Sequence, residues 1–373
     1  MDQAIPLAVP DLRGNEQAYL ARCVTENWVS SAGPFVSRCE LEMASLAGRR
    51  NAVATVNGTS AIHLALIAAG VSTGDYVVLP DWTFAATANA VVHAGCIPVF
   101  VDVTEESWTL DPSSLSRVLS NPPGRIGAVI AVHALGHPAD IDALLPLCRA
   151  AGLPLIEDAA GAIGARYKGR PAGGLGDLAI FSFNGNKTVT AGGGGMVVTD
   201  DEDKARRLRA LSAQARSGTE YRYDAVGFNY RMTNVNAALL LAQIERLGDM
   251  LSAKRRVAEA YDRALSGRND LVPMPRRPWA ESGCWLYSVL CRNEPDAQSL
   301  VRHMADRKIE ARVFWRTLSD QEPYAGTPTE LSGMAARLSG TVVSLPCSSS
   351  LTASQQARVL DALAQWSPQR RAH

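Results

Sequence analysis

Between Phe181 and Gly195 the sequence reads FSFNGNKTVTAGGGG, a tract whose one charged residue, Lys187, is set among Asn, Thr and Gly directly after an apolar run. Four uses compete for that amine. A phosphate-binding loop of the form G-x-x-x-x-G-K-[ST] fails, because Asn186 stands where the glycine before the lysine should be. A solvated surface lysine is the ordinary reading, and a structural salt bridge leaves the glycines unexplained. The fourth use is a Schiff-base lysine, whose amine condenses with a carbonyl group and then serves as nucleophile and proton shuttle. Small residues on both sides would let another molecule approach the backbone.

That use makes demands elsewhere in the chain. A cofactor such as pyridoxal phosphate needs a carboxylate against its ring nitrogen, since an ion pair keeps the pyridinium protonated and able to accept electrons. PLIEDAAGA offers Asp158 at the end of an apolar strand, where open α/β sheets place their ligands, although an acidic residue there could equally cap the next helix. The phosphate needs a cradle. VNGTSAIHLAL supplies a strand and then Asn57-Gly58-Thr59-Ser60 at a helix start, where free N–H groups and the helix dipole favour an anion. Plain N-capping by Asn57 or Thr59 is the competing reading. Ser182 could add a hydroxyl, and Phe84 or Trp82 in PDWTFAATANAV could cover the ring face or belong to the core.

The elements that would position these groups alternate. From Ala52 to about Thr199, apolar runs (AVATV, YVVLP, PVFVDV, AVIAVHA, PLIED) alternate with helical patterns. Continuous rather than alternating apolar runs are those of a sheet buried on both faces, so a mainly parallel α/β sheet is expected. Two more strands, LAIFSF and GMVVT, flank Lys187 without a long helix between them. A long helical region from Thr233 to Leu265 then bridges to a smaller α+β set made of WLYSVL, IEARVF, TVVSLP and a final helix from Thr352.

In order, the phosphate turn, aromatic, strand-end Asp and lysine loop carry a resemblance. With PDWTFAATANAV, HALGHPADIDAL, VGFNYRMTNVNAAL and ENWVSSAGPFV, the chain resembles the DegT/StrS-type nucleotide-sugar aminotransferases over nearly its whole length. The resemblance implies a fold-type I enzyme: a large domain over residues 1–247 with a mainly parallel seven-stranded sheet, and a small C-terminal α+β domain over 248–373. It makes Lys187 the aldimine lysine and Asp158 the ring-nitrogen partner. Gly58, Thr59 and Ser182 become phosphate contacts and Phe84 the stacking aromatic. Asn229 falls where the partner subunit reaches the phosphate, with Arg231 beside it, which implies a homodimer sharing its active sites. Trp28, Ser30 and Ser31 become substrate-site candidates. FSFNGNK followed by GGGGM is most similar to members that aminate C4 of 4-keto-6-deoxy nucleotide sugars in bacillosamine, legionaminic acid and perosamine pathways. L-glutamate is the implied donor, and the cofactor would alternate between pyridoxal and pyridoxamine phosphate. Three positions depart from the family: Gly161 for a usual Gln, Glu or His, Gly193 for a frequent Glu, and Ser319 for a frequent His. C3 amination and a cofactor-binding regulatory protein without turnover are the other readings. A pyridoxamine-dependent dehydratase would carry His in place of Lys187.

Composition bounds the remainder. At 373 residues the chain can bury a substantial core, and 47% hydrophobic with 20% charged residues is ordinary globular usage. Lys plus Arg equals Asp plus Glu at 37 each, so no global field favours nucleic acid or an anionic membrane. Seven cysteines without a C-x-x-C pair indicate neither a disulfide framework nor a zinc ribbon, and a reducing cytoplasm is expected. No membrane span and no signal peptide is expected either. His133, His137, Asp140 and Asp142 sit close together, but a strand followed by a turn does not put them on one helical face, and no metal is expected. The basic runs at 254–256 and 276–277 read as solvated charge, with an arginine of the second able to approach a diphosphate.

Overall fold

The computed structural model of the protein describes residues 3–217 and 221–368. Helices α1 (Glu16–Thr25) and α2 (Pro34–Ala47) precede strand β1 (Asn51–Thr55). There follow α3 (Gly58–Ala68), β2 (Tyr76–Pro80), α4 (Ala86–His93), β3 (Ile97–Val101), α5 (Pro112–Ser120), β4 (Ile126–Val132), α6 (Ile141–Ala150), β5 (Leu155–Asp158), β6 (Leu178–Ser182), β7 (Gly195–Thr199) and α7 (Glu202–Ser212). The long helical region is two helices, α8 (Asn234–Ile244) and α9 (Leu247–Leu265), with non-helical backbone at Arg246 between them.

A second set follows: β8 (Leu271–Pro273), β9 (Tyr287–Cys291), α10 (Glu294–Ala305), β10 (Arg312–Val313), β11 (Thr329–Glu330), α11 (Met334–Leu338), β12 (Val342–Leu345) and α12 (Ala353–Gln365). The final helix begins as its sequence foretells, with Thr352 and Gln355 forming a reciprocal capping box.

The large sheet has the order β1-β7-β6-β5-β4-β2-β3-β11. Its seven expected strands are all present. An eighth, β11, is contributed by the C-terminal third and pairs parallel to β3. Pairing is parallel except where β7 joins β1 and β6. Side chains one residue apart go to opposite cores, as period-two geometry requires. Ala179 and Phe181 of β6 enter a core with α2 and α8, while Leu178 and Ile180 enter one with α3. Both faces are thus covered by helices, and the strands read as unbroken apolar runs for that reason. A second, antiparallel sheet, β8-β9-β12-β10, packs against α9, α10 and α12.

The two parts are stitched together from both ends. Ile5 bridges to Ile309 and sits in the C-terminal core. In the other direction Asp102, just past β3, accepts backbone hydrogen bonds from Ser332, Gly333, Met334 and Ala335 at the start of α11. Those bonds hold the Asp102 carboxyl below its usual range despite burial, which acts in the opposite direction.

Candidate active site

Strand ends β1, β5 and β6 open onto one cavity of about 290 Å³, lined among others by Gly58, Thr59, Phe84, Asp158, Ser182 and Lys187. Six of the residues singled out from sequence therefore meet at one place. Asn57 leaves β1 in extended conformation, and its side chain accepts from the Ser60 N–H at 2.8 Å, starting α3. The N-cap reading is thus correct for Asn57, and it leaves the anion reading intact. Gly58 and Thr59 head the helix, where no carbonyl one turn earlier can receive their N–H groups. Only glycine fits at 58, because a Cβ there would lie 2.9 Å from Ser182 Cβ.

Asp158 is 5% exposed at the end of β5. Its Oδ2 accepts from the Thr87 hydroxyl at 2.8 Å and its Oδ1 from the Ala160 N–H at 3.1 Å. Thr87, from the first turn of α4, is a site residue the sequence reading passed over although it lies within a quoted motif. Phe84 is 61% exposed on the cavity rim, whereas Trp82 is fully buried beside Trp108 and Trp315 and belongs to the core.

Lys187 sits in a tight turn between β6 and β7, closed by Phe183 N–H to Gly194 O and Lys187 N–H to Asn184 O, each 2.9 Å. Gly192 and Gly194 have φ of +75° and +133°, conformations that side chains resist. Next to the lysine, the buried Thr188 hydroxyl has no hydrogen-bond partner among the described residues. The Lys187 amine opens onto the cavity, yet protein surrounds it closely. This burial lowers its pKa to about 7, against the opposing attraction of Asp158. Its Nζ lies 3.4 Å from the centroid of the Trp285 ring, whose Nε1 donates to Asn186 O at 2.8 Å. Trp285, Phe314 and Trp315 enter the cavity from the C-terminal third, and no local pattern in the sequence marks them.

The three departures have different consequences. A Cβ at Gly161 would meet Trp285 Cε3 at 2.6 Å, so the indole occupies the space a side chain would need. A Cβ at Gly193 would meet nothing closer than Val56 O at 3.8 Å, an ordinary contact, so a side chain there would find room. Ser319 lies outside the cavity lining; its N–H and hydroxyl bind the buried Asp81 at 2.7 and 2.9 Å.

The remaining polar residues singled out from sequence have structural partners. His133 accepts from Ala139 N–H at Nδ1, so its Nε2 carries the proton and donates to Glu157 at 2.9 Å. His137 donates to Pro138 O and accepts from Arg277 N–H, while Asp140 caps α6. Lys254 is no solvated charge: it is 3% exposed and donates to the carbonyls of Cys284, Trp285 and Cys347. Arg276 pairs with Asp262.

Within one chain, Asn229, Arg231, Trp28, Ser30 and Ser31 do not line the cavity. Asn229 and Arg231 are exposed on a segment bridged to Ala213 and Thr55. The buried Asn234 organises the N-terminal loop, donating from its backbone to Ser30 O and from its amide to Trp28 O, and accepting from Phe35 N–H.

An amine of lowered pKa, a strand-end carboxylate and a helix N-terminus around one cavity are the donor set that a pyridoxal-phosphate enzyme needs. Residues 10–364 match the model of the DegT/DnrJ/EryC1/StrS aminotransferase family. The chain is 37% identical over 365 residues to the GDP-perosamine synthase of Caulobacter vibrioides, covering 97% of this chain and 98% of that protein. Among solved structures, DesV of S. venezuelae in complex with a ketimine intermediate superposes with a TM-score of 0.89 at 33% identity, covering 96% and 98% of the two chains. DesI in the presence of its TDP-sugar product gives 0.89 at 32%, covering 97% and 93%. The chain therefore belongs to the DegT/DnrJ/EryC1/StrS family of pyridoxal-phosphate-dependent sugar aminotransferases. No helix among the described residues is long and apolar enough to cross a membrane.

Proposed function

We propose that the protein transfers the amino group of L-glutamate to C4 of a nucleotide-linked 4-keto-6-deoxy sugar, by ping-pong half-reactions at the cavity around Lys187. The observation that carries this is the convergence of Lys187, Asp158, Ser182 and the Gly58–Thr59 helix start on one cavity, where close burial lowers the Lys187 pKa to about 7 and favours its neutral, nucleophilic form. The donor set fits pyridoxal phosphate. The amides of Gly58 and Thr59 and the Ser182 hydroxyl would receive the phosphate, Phe84 would cover one ring face, and Asp158 would hold the ring nitrogen protonated. When bound, that group supplies the electron sink for the carbanion at the donor carbon or the sugar carbon.

The chain supplies the rest. Thr87 and the Ala160 N–H fix Asp158, so its carboxylate needs no reorganisation as charge develops. Lys187 would hold the cofactor, and its Nζ would be the group that takes up and returns the proton at the reacting carbon, so no separate general base is needed. Two copies would complete each site, with Asn229 reaching the neighbour's phosphate and Arg231, Trp28, Ser30 and Ser31 lining its sugar pocket. The similarity to GDP-perosamine synthase supports C4 and a nucleotide diphosphate sugar.

The test is the absorbance spectrum of the pyridoxal-phosphate-loaded protein before and after L-glutamate, followed by a panel of UDP-, GDP- and dTDP-linked 4-keto sugars. Loss of the lysine-bound band with glutamate and its return with one sugar is the expected result. A band indifferent to glutamate and to every sugar would overturn the reading.

A further inference from the structure

We infer that Trp285 is a positioning residue for Lys187, and that Gly161 is glycine so that the indole can take the place of a side chain there. This rests on Lys187 being the residue that takes up the cofactor.

The indole makes two contacts with the lysine turn. Its face lies 3.4 Å from Nζ, and its Nε1 donates to the carbonyl of Asn186, the residue before the lysine, at 2.8 Å. One side chain thus fixes both ends of Lys187, backbone and amine. A lysine side chain carries large rotamer freedom, which must be given up whenever its amine reacts at one point. An amine already laid along an aromatic face has surrendered part of it beforehand, and the ring quadrupole also attracts the protonated form.

The indole is itself held from behind. Trp285 is 6% exposed, and the buried Lys254 ammonium binds the carbonyls of Trp285 and Cys284, at 3.0 and 3.4 Å, and of Cys347. On its other edge the indole is closed off by Gly161, where a Cβ would meet Cε3 at 2.6 Å and Cδ2 at 3.2 Å. A longer side chain at 161 and the present indole position exclude each other.

Covalent capture of pyridoxal phosphate by the apo protein tests this, trapped with borohydride and quantified at Lys187 by mass spectrometry across a pH series. Trp285→Phe, which keeps a ring face but loses the N–H donor to Asn186 O, is expected to slow capture less than Trp285→Leu and to leave the pH midpoint near that of wild type. Trp285→Leu keeps the site apolar without the ring, and its capture rate is expected to fall about tenfold. Its pH midpoint should also move down, because the ammonium has lost the ring's attraction while remaining buried. Gly161→Gln should slow capture to a similar extent. Combined with Trp285→Leu it should add little further, since the two substitutions disturb one space. Circular dichroism establishes that each variant folds before its rate is compared. Wild-type rate and midpoint in Trp285→Leu, a midpoint that rises, or additive effects of the two substitutions would each overturn the inference. Failure of the wild-type protein to capture the aldehyde at Lys187 would instead overturn the assignment of Lys187.

Discussion

Two lysines of this protein turn inward, Lys254 fully buried and Lys187 half-buried on the cavity wall, and their surroundings are opposite. Lys254, in α9, has its three ammonium protons directed at three carbonyls. Lys187, on the cavity wall, has no hydrogen-bond acceptor for its amine among the described residues, only an aromatic face and a carboxylate that acts through space. A satisfied ammonium is a structural tie. An unsatisfied one gives up its proton near neutral pH and becomes a reagent. The difference lies in what the neighbouring backbone offers, not in the side chain.

The sharpest way to break the contrast is Lys187→Ala, expected to lower multiple-turnover transamination by about 10³-fold or more while the circular dichroism spectrum is unchanged. Retained turnover would make Lys187 a second structural lysine. Asp158→Asn comes next, with an expected loss of about 10²–10³-fold in kcat and little change in folding, because the neutral amide cannot hold a protonated ring nitrogen. Steady-state kinetics with glutamate and the accepted keto sugar decide it.

Lys254→Met should act on the other side of the comparison. It leaves buried carbonyls without a donor, and urea denaturation should record a loss of about 2–3 kcal/mol. An unchanged midpoint would mean that Lys254 ties nothing.

His137 provides a third buried base to set beside them, for burial lowers its pKa to about 4. The folded state resists protonating it, whereas the unfolded chain takes the proton below about 6.5. Stability from this group is therefore fully present above about pH 6.5 and is lost as pH falls towards 4, by an amount on the order of 3 kcal/mol. Stability measured against pH for wild type and His137→Phe should diverge across that window. Parallel curves would remove His137 from the acid sensitivity.

The sheet and half of the site were legible in the sequence for one physical reason. A strand buried on both faces must be apolar at every position, and the residues that end such strands fall at the ligand face, so Asp158, Ser182 and the turn at Gly58 announced themselves. The lysine turn was legible because a single amine among small residues stands out, although Gly192 and Gly194 also serve the positive φ of the turn itself. What escaped notice arrives from far along the chain. Trp285 reads as one more core aromatic until a fold lays it on Lys187, and Lys254 reads as solvated within KRR until the carbonyls of Cys284, Trp285 and Cys347 close over it. The two-residue strand Thr329–Glu330 has no apolar run to reveal it, since its pairing comes from the exposed edge of β3. Thr87 was hidden by being ordinary, for a threonine in a first helical turn usually serves the helix.

The clasp of Asp102 on the start of α11 bears on how the chain is made. A ribosome delivers the whole of β1 to β7 before it delivers Ser332. Until then the Asp102 carboxyl retains only its local bond from the Val103 N–H, and β3 keeps a bare parallel edge. The nascent large sheet is thus left with an unfilled carboxylate and an unpaired strand for the whole time that residues 200 to 331 are being synthesised. Its closure waits on the last stretch of translation, and the interval before it is when an edge strand of another nascent chain has its opening.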